Sequence, residues 1–169
     1  STSLLLDVIE ILSRSTGIED KFFSRAMEEL LKVLLTLMLF SESKLTLGSL
    51  NELYLSLPLD AGEFKDPSRE VVALLNAAKR NVAGTQYQEA VRTAERYLRD
   101  RWVPMADETR SSISMTLGVA LNNLTTGVLK DLFGTGTNVT PQDVLAGKIL
   151  IVDMPTASYR VLGKITAVM

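Results

Sequence analysis

Hydrophobic and polar positions alternate at helical spacing along most of the first 130 residues. In segment 3–12, apolar residues recur three or four positions apart, which predicts an amphipathic helix that ends before Gly17. A longer helix is predicted over 19–40, where two acidic residues occupy the end that favours negative charge. The apolar face of this helix is too wide for a surface helix, so the pattern predicts the central helix of a bundle.

Two shorter helices are predicted next. Thr46 is a candidate N-cap for the first, which ends before Pro58, and residues 60–65 form a loop. The second is predicted to begin with Asp66 as its N-cap and Pro67 at its first helical position, where the missing N–H of proline costs nothing.

Two further helices complete the predicted bundle. Thr85 and Gln88, just after Gly84, have the spacing of a capping box, and Pro104 ends the helix that they open. Its apolar side comprises Tyr87, Val91, Ala94 and Leu98. The next helix is predicted over 107–124, and its apolar face comprises Ile113, Leu117, Ala120 or Leu121, and Leu124.

The pattern changes after residue 135, and the sequence therefore divides into a helical bundle, 1–135, and a strand–helix segment, 136–169. An apolar run, 149–152, predicts a buried strand that ends in Asp153, and a helical pattern follows it. Strand, loop and helix in this order are typical of an α/β layer. A single strand needs a partner in further sequence or in another chain, or else it is an irregular extended segment.

Composition excludes several kinds of site. The 169 residues, enough for one domain, include no cysteine and no histidine, which rules out disulfides, Cys₄ zinc sites, Ser-His-Asp and Cys-His catalysis and HExxH zinc sites. A net charge of −2 argues against non-specific binding to nucleic acid. The apolar stretch 30–40 is about half the length of a membrane span, so it predicts a buried helix.

Nucleotide-binding motifs are incomplete. Asp153 ends an apolar strand, as the Mg²⁺-binding Asp of a Walker B strand does, or it caps the turn before Pro155. A phosphate loop requires G-x-x-x-x-G-K-[ST], and the glycines of 133–138 lack the Lys-Ser/Thr pair. The sequence favours a connecting segment at 133–138 and gives no support for a metal at Asp153.

The charged segment 107–112 has two interpretations. It is either a motif that faces a nucleotide, a neighbouring subunit or DNA, or a helix start with Asp107 as N-cap and Glu108 in the first turn. The residues alone favour the helix start.

The basic and aromatic residues of 92–102 also have two interpretations. Four arginines (Arg92, Arg96, Arg99, Arg101) could bind phosphates, and Tyr97 and Trp102 could stack on bases. Acidic residues are interleaved with the arginines, and Glu95 and Arg99 have the spacing of a helical ion pair. The pattern favours a solvated, salt-bridged face with both aromatic residues packed in the core.

Taken together, segment 105–169 resembles the coupling proteins of type IV secretion and conjugative DNA transfer, which are membrane-anchored, hexameric, ATP-driven DNA pumps. The resemblance rests on motifs in a fixed order: Asp107–Ile113 (DETRSSI), Leu145–Lys148 (LAGK), Ile149–Pro155 (ILIVDMP), Tyr159 and Gly163. The helices before residue 105 fit the family in pattern only.

The resemblance implies a mainly α-helical insertion domain followed by one strand and one helix of a RecA-like α/β core. In this family the Walker A motif precedes the insertion and the Walker B strand follows the helix after Gly163, so Asp153 would not be the Walker B acid. ATP and Mg²⁺ would be cofactors of the whole protein, with no catalytic residue and no metal ligand in the present segment.

The implied partners are the other subunits of a homo-hexamer, a relaxase or secreted protein substrates, and single-stranded DNA through the whole protein. The implied location is the cytoplasmic face of the bacterial inner membrane, with the membrane contacted only by segments outside this sequence. Glu108, Thr109 and Arg110 are the candidates for a nucleotide or subunit boundary. The alternatives are a stand-alone helical protein-interaction module and a different RecA-like motor, such as a pilus or secretion ATPase.

Overall fold

The computed structural model describes residues 21–44 and 46–126, together with 143, 145–147 and 149. It has five α-helices over these residues: α1 Lys21–Phe40, α2 Leu47–Leu55, α3 Glu70–Asn81, α4 Gln88–Tyr97 and α5 Asp107–Thr125. A 3₁₀ turn, Glu63–Lys65, precedes α3, and a π-helical turn, Leu98–Trp102, extends α4. The predicted mainly α-helical bundle is confirmed for this part of the chain. The helix at 3–12, the strand after Ile149, Asp153 and the domain boundary at 135 lie outside the described residues.

Helix α1 is the centre of the bundle, as its wide apolar face predicts. It packs against each of the other four α-helices. Its core-facing side chains recur at helical spacing and include Met27, Leu30, Leu31, Leu34, Leu37 and Met38, all of them buried. Most of the apolar stretch 30–40 therefore belongs to the core, although Leu39 is 54% exposed. No helix in the described part of the chain combines the length and the apolar character that crossing a membrane requires.

Helix α2 begins and ends where the sequence predicts. The Thr46 side chain accepts a hydrogen bond from the Ser49 N–H at 3.1 Å, the geometry of an N-cap. The helix ends at Leu55, three residues before Pro58. The predicted loop 60–65 contains the 3₁₀ turn described above.

The predicted start of α3 is wrong. Asp66 does not cap the helix, because its carboxylate accepts the Ser68 N–H at 2.9 Å in a local turn, and α3 begins only at Glu70. The Val71 N–H is instead capped at 3.0 Å by the hydroxyl of Ser56, at the end of α2. The cap therefore comes from a residue fifteen positions earlier.

The capping box predicted before α4 is displaced. Gln88 Oε1 accepts the N–H of Gly84 at 3.2 Å, whereas the Thr85 hydroxyl accepts the N–H of Tyr87 at 3.2 Å. Gly84 has a φ of 74°, a conformation that favours glycine. Tyr87, predicted on the apolar side, is half exposed and lies against the Phe40 ring, with the ring centroids 5.3 Å apart.

Candidate functional site

The candidate residues lie in the first turn of α5. Ala106, and not Asp107, is the N-cap residue, and the Arg110 N–H donates to the Ala106 carbonyl at 2.9 Å. The predicted cap at Asp107 is thus one position too late, although Asp107 and Glu108 do place acids in the first turn. Negative charge is stabilised there because the free N–H groups of the helix point toward it.

The three candidates differ in exposure. Glu108 is exposed, Thr109 is half-buried, and Arg110 is buried, with 8% of its surface accessible. Only Glu108 and Thr109 present side-chain surface to a partner or ligand in this arrangement. The Arg110 guanidinium is therefore buried, whereas Glu108 and Thr109 are accessible to a partner.

The Arg110 guanidinium is held by groups within the bundle. Its Nη1 donates to the carbonyls of Leu59, at 2.8 Å, and Val103, at 3.1 Å, while Nη2 forms an ion pair with Asp107. The Asp107 side chain is 91% exposed, so this pair lies at the edge of the protein. A buried cation needs such partners, because removal from water costs several kcal/mol when it is unpaired.

Arg110 is one of three donors to consecutive backbone carbonyls. The carbonyls belong to the segment of Leu57, Pro58 and Leu59 that follows α2, which we call the 57–59 linker. Arg69 Nη1 donates to the Leu57 carbonyl at 3.5 Å, and Trp102 Nε1 donates to the Pro58 carbonyl at 3.0 Å. Since the linker has no helix to satisfy its backbone, these side chains supply the hydrogen bonds.

The two N–H groups of the 57–59 linker have different acceptors, since the Leu57 N–H donates to the Tyr54 carbonyl at 3.3 Å. The Leu59 N–H donates to Glu63 Oε2 at 2.7 Å, and Glu63 forms an ion pair with Arg69. One linker is thus bound from the 3₁₀ turn, the start of α3, the π-helical turn and α5. This convergence gave no signal in the sequence, because the three donors lie 12, 44 and 51 positions after the carbonyls that they bind.

The aromatic residues of the π-helical region pack in the core, as predicted. Trp102 is almost fully buried, and Tyr97 is 8% exposed with the Arg101 guanidinium 5.5 Å from its ring centroid. Burial, and next the nearby charge of Glu29, raises the pKa of Tyr97 to about 12, partly opposed by Arg101. Neither ring is available to stack on a base.

The arginines of α4 and the π-helical turn form a salt-bridged face, as predicted. Glu95 and Arg99, predicted to pair, form no direct ion pair, but Asp100 and, to a smaller degree, the charge of Glu95 raise the pKa of Arg99. Glu95 binds Lys79 of α3 at 2.7 Å, and Arg99 binds its neighbour Asp100 at 2.7 Å. The other three arginines also have acidic partners: Arg92 and Arg96 have Glu89, and Arg101 has Glu29.

The chemistry available in the first turn of α5 is that of Glu108, Thr109 and Arg110. Over the described residues, no three histidine, cysteine, aspartate or glutamate side chains come together as a metal site. The glycines of 133–138 and Asp153 lie outside those residues. The arrangement at α5 is a buried guanidinium between helices, with two accessible polar residues beside it. No family model, curated protein or solved structure matches the chain.

Proposed function

We propose that this chain is the helical domain of a coupling ATPase of conjugative DNA transfer or type IV secretion. The observation that carries the proposal is the order of sequence motifs, DETRSSI at 107–113, LAGK at 145–148 and ILIVDMP at 149–155. In the whole protein, a RecA-like core would bind ATP and Mg²⁺ and pump the DNA at the cytoplasmic face of the bacterial inner membrane. The present segment would serve in substrate reception and in contacts between subunits of a hexamer.

The architecture is compatible with this role. The described residues form an all-α bundle. A net charge of −2 and fully paired arginines on α4 and its π-helical turn make direct binding of single-stranded DNA unfavourable for this segment. Protein partners, a relaxase or a secreted protein, are therefore the proposed substrates that the bundle contacts. Glu108 and Thr109 are the proposed residues of the subunit boundary.

Mass spectrometry of the natural gene product tests the proposal. The product is isolated from its source cell, its intact mass is measured, and its peptides are mapped on both sides of this sequence. We expect a much larger protein with G-x-x-x-x-G-K-[ST] before the bundle and an apolar strand ending in Asp-Glu after it. A native product of about this length would contradict the proposal.

A stand-alone helical interaction module is the second candidate. Three apolar side chains favour it, because Leu55 of α2 and Met115 and Val119 of α5 are 69%, 72% and 39% exposed. Met115 and Val119 are four positions apart and so share a face of α5, and contiguous exposed apolar surface is typical of protein-binding faces. This candidate predicts a short native product without ATPase activity, so the same mass measurement separates the two.

A further inference from the structure

We propose that Arg110 is a latch that makes three segments open and close as one unit. The segments are the 57–59 linker, residue Val103 after the π-helical turn, and the first turn of α5. Arg110 thus acts inside the fold and holds α5 in place. The latch is defined by contacts within the described bundle, so the experiments that test it are independent of the proposed function.

The contacts of one side chain carry this inference. Nη1 bridges the carbonyls of Leu59 and Val103, which lie 51 and 7 positions before Arg110 in the sequence. Nη2 binds Asp107 within the same turn of α5. Arginine suits this arrangement because its planar, permanently charged fork donates in several directions at once, whereas lysine presents a single point charge.

The energetics of the two halves of the latch differ. The inner half, toward Leu59 and Val103, consists of charge-assisted bonds beneath the surface, which are the stronger kind of hydrogen bond. The outer half, toward Asp107, is in contact with water because that carboxylate is 91% exposed, and exposed ion pairs contribute little. The inner half therefore carries the coupling.

Trp102 extends the coupled unit to a second contact on the 57–59 linker. Its indole N–H donates to the Pro58 carbonyl, next to the carbonyl that Arg110 binds. Loosening at either carbonyl should therefore spread to the other and to the first turn of α5. Trp102 is the one tryptophan of the chain, so its fluorescence reports on this contact.

Hydrogen exchange on the full chain, followed by mass spectrometry, tests the latch. In Arg110→Lys we expect amides of the 57–59 linker and of residues 107–111 to exchange about tenfold faster, since charge-assisted bonds to two carbonyls are lost. Peptides of α1 should keep their rates, and the emission of Trp102 should shift to the red. Arg101→Lys is the matched control, because Arg101 pairs with Glu29 at the surface, and should leave these segments unchanged.

Two further variants test the coupling at Trp102 and at Asp107. Trp102→Phe should speed exchange in the 57–59 linker and also in the first turn of α5, to which the indole donates no hydrogen bond. Asp107→Asn should change neither by more than about twofold, since an amide oxygen still accepts and the pair is exposed. The latch is overturned if the exchange rates of Arg110→Lys match those of the wild type, or if exchange in α1 accelerates equally. It is also overturned if Trp102→Phe speeds exchange in the 57–59 linker alone. An Asp107→Asn variant that speeds exchange as much as Arg110→Lys would overturn it too.

Discussion

Glu42 occupies a backbone position that favours glycine. It follows α1 with a φ of 61°, and the next residue, Ser43, donates its N–H to the Met38 carbonyl at 3.3 Å. This is the arrangement of a Schellman cap, in which the left-handed residue is usually glycine. We expect Glu42→Gly to raise the free energy of unfolding by about 1 kcal/mol, because the strain of the side chain disappears.

Urea denaturation measures this change at the end of α1. Glu42→Ala is the control, since it removes a carboxylate from a helix C-terminus, where negative charge is unfavourable, but keeps a Cβ at a positive φ. If Glu42→Ala stabilised the protein as much as Glu42→Gly, the charge and not the backbone would be responsible.

The phenol of Tyr97 makes the stability of the folded protein depend on pH in the alkaline range. Its pKa in the folded protein is raised to about 12 from an ordinary value near 10, chiefly because the ring is buried. The folded state thus holds this proton more tightly than the unfolded state, so the contribution is complete below pH 10 and is lost between pH 10 and 12. We expect the melting temperature of the wild type to fall as the pH rises from about 10 to about 12, and that of Tyr97→Phe to fall less. Equal falls in both proteins would show that other groups dominate.

Single residues also show where sequence reasoning succeeded and failed. The sequence predicts the burial of Trp102, because large aromatic residues are by default core residues. Its partner, the Pro58 carbonyl, lies 44 positions away, and no local rule connects the two. Arg110 is similar, because its carbonyl partners are set by tertiary packing. Sequence identified Arg110 as a candidate but could not show what it binds.

At the scale of elements, Ser56 joins two helices. Its hydroxyl accepts the Val71 N–H at the start of α3 and donates to the Leu53 carbonyl at 2.8 Å. We expect Ser56→Ala to lower the free energy of unfolding by about 1 kcal/mol, the usual cost of losing an N-cap. Ser112→Ala is the control in thermal denaturation. Ser112 bonds only the Glu108 carbonyl of its own helix and should have little effect.

Helices α2 and α5 approach each other closely at Gly118. A Cβ at this position would lie 3.3 Å from the hydroxyl of Tyr54, which is held in place by the Ser114 carbonyl at 2.6 Å. Alanine favours a helix by about 1 kcal/mol over glycine, but here it must displace that hydroxyl. We expect Gly118→Ala to be neutral or destabilising in the wild type and stabilising in Tyr54→Phe. A double-mutant cycle measures this coupling, and equal effects in both backgrounds would contradict it.

Element boundaries were predictable only where the cap is local. Thr46 and Pro58 bound α2 as expected, because a threonine N-cap acts on an N–H three residues away. The start of α3 was misplaced because Asp66 satisfies the Ser68 N–H while the cap comes from α2. The π-helical turn Leu98–Trp102 was not predicted at all, since the apolar spacing of this region also fits an α-helix.

For the whole molecule, hydrophobic periodicity was enough to predict a mainly α bundle around α1. That prediction rests on the width of one apolar face, which depends on sequence alone. The 57–59 linker, by contrast, is fixed by side chains from four elements, three of them donors and one the acceptor Glu63, and only the assembled bundle brings them together. The proposed ATPase role depends on the order of three motifs, of which DETRSSI at 107–113 belongs to the described bundle and the other two follow residue 126.

The position of the buried residues along the chain predicts which segment folds independently. The buried hydrophobic residues of the described part of the chain run from Met27 to Leu121, and α1 contacts every other helix within that range. We therefore expect residues 21–126 to fold alone, with one cooperative urea transition and helical circular dichroism, because single domains of this size unfold in an all-or-none manner. Arg101→Lys in the same fragment is a surface control. A broad transition with dye-binding, loosely packed character would contradict this expectation and would show that segments outside 21–126 complete the core.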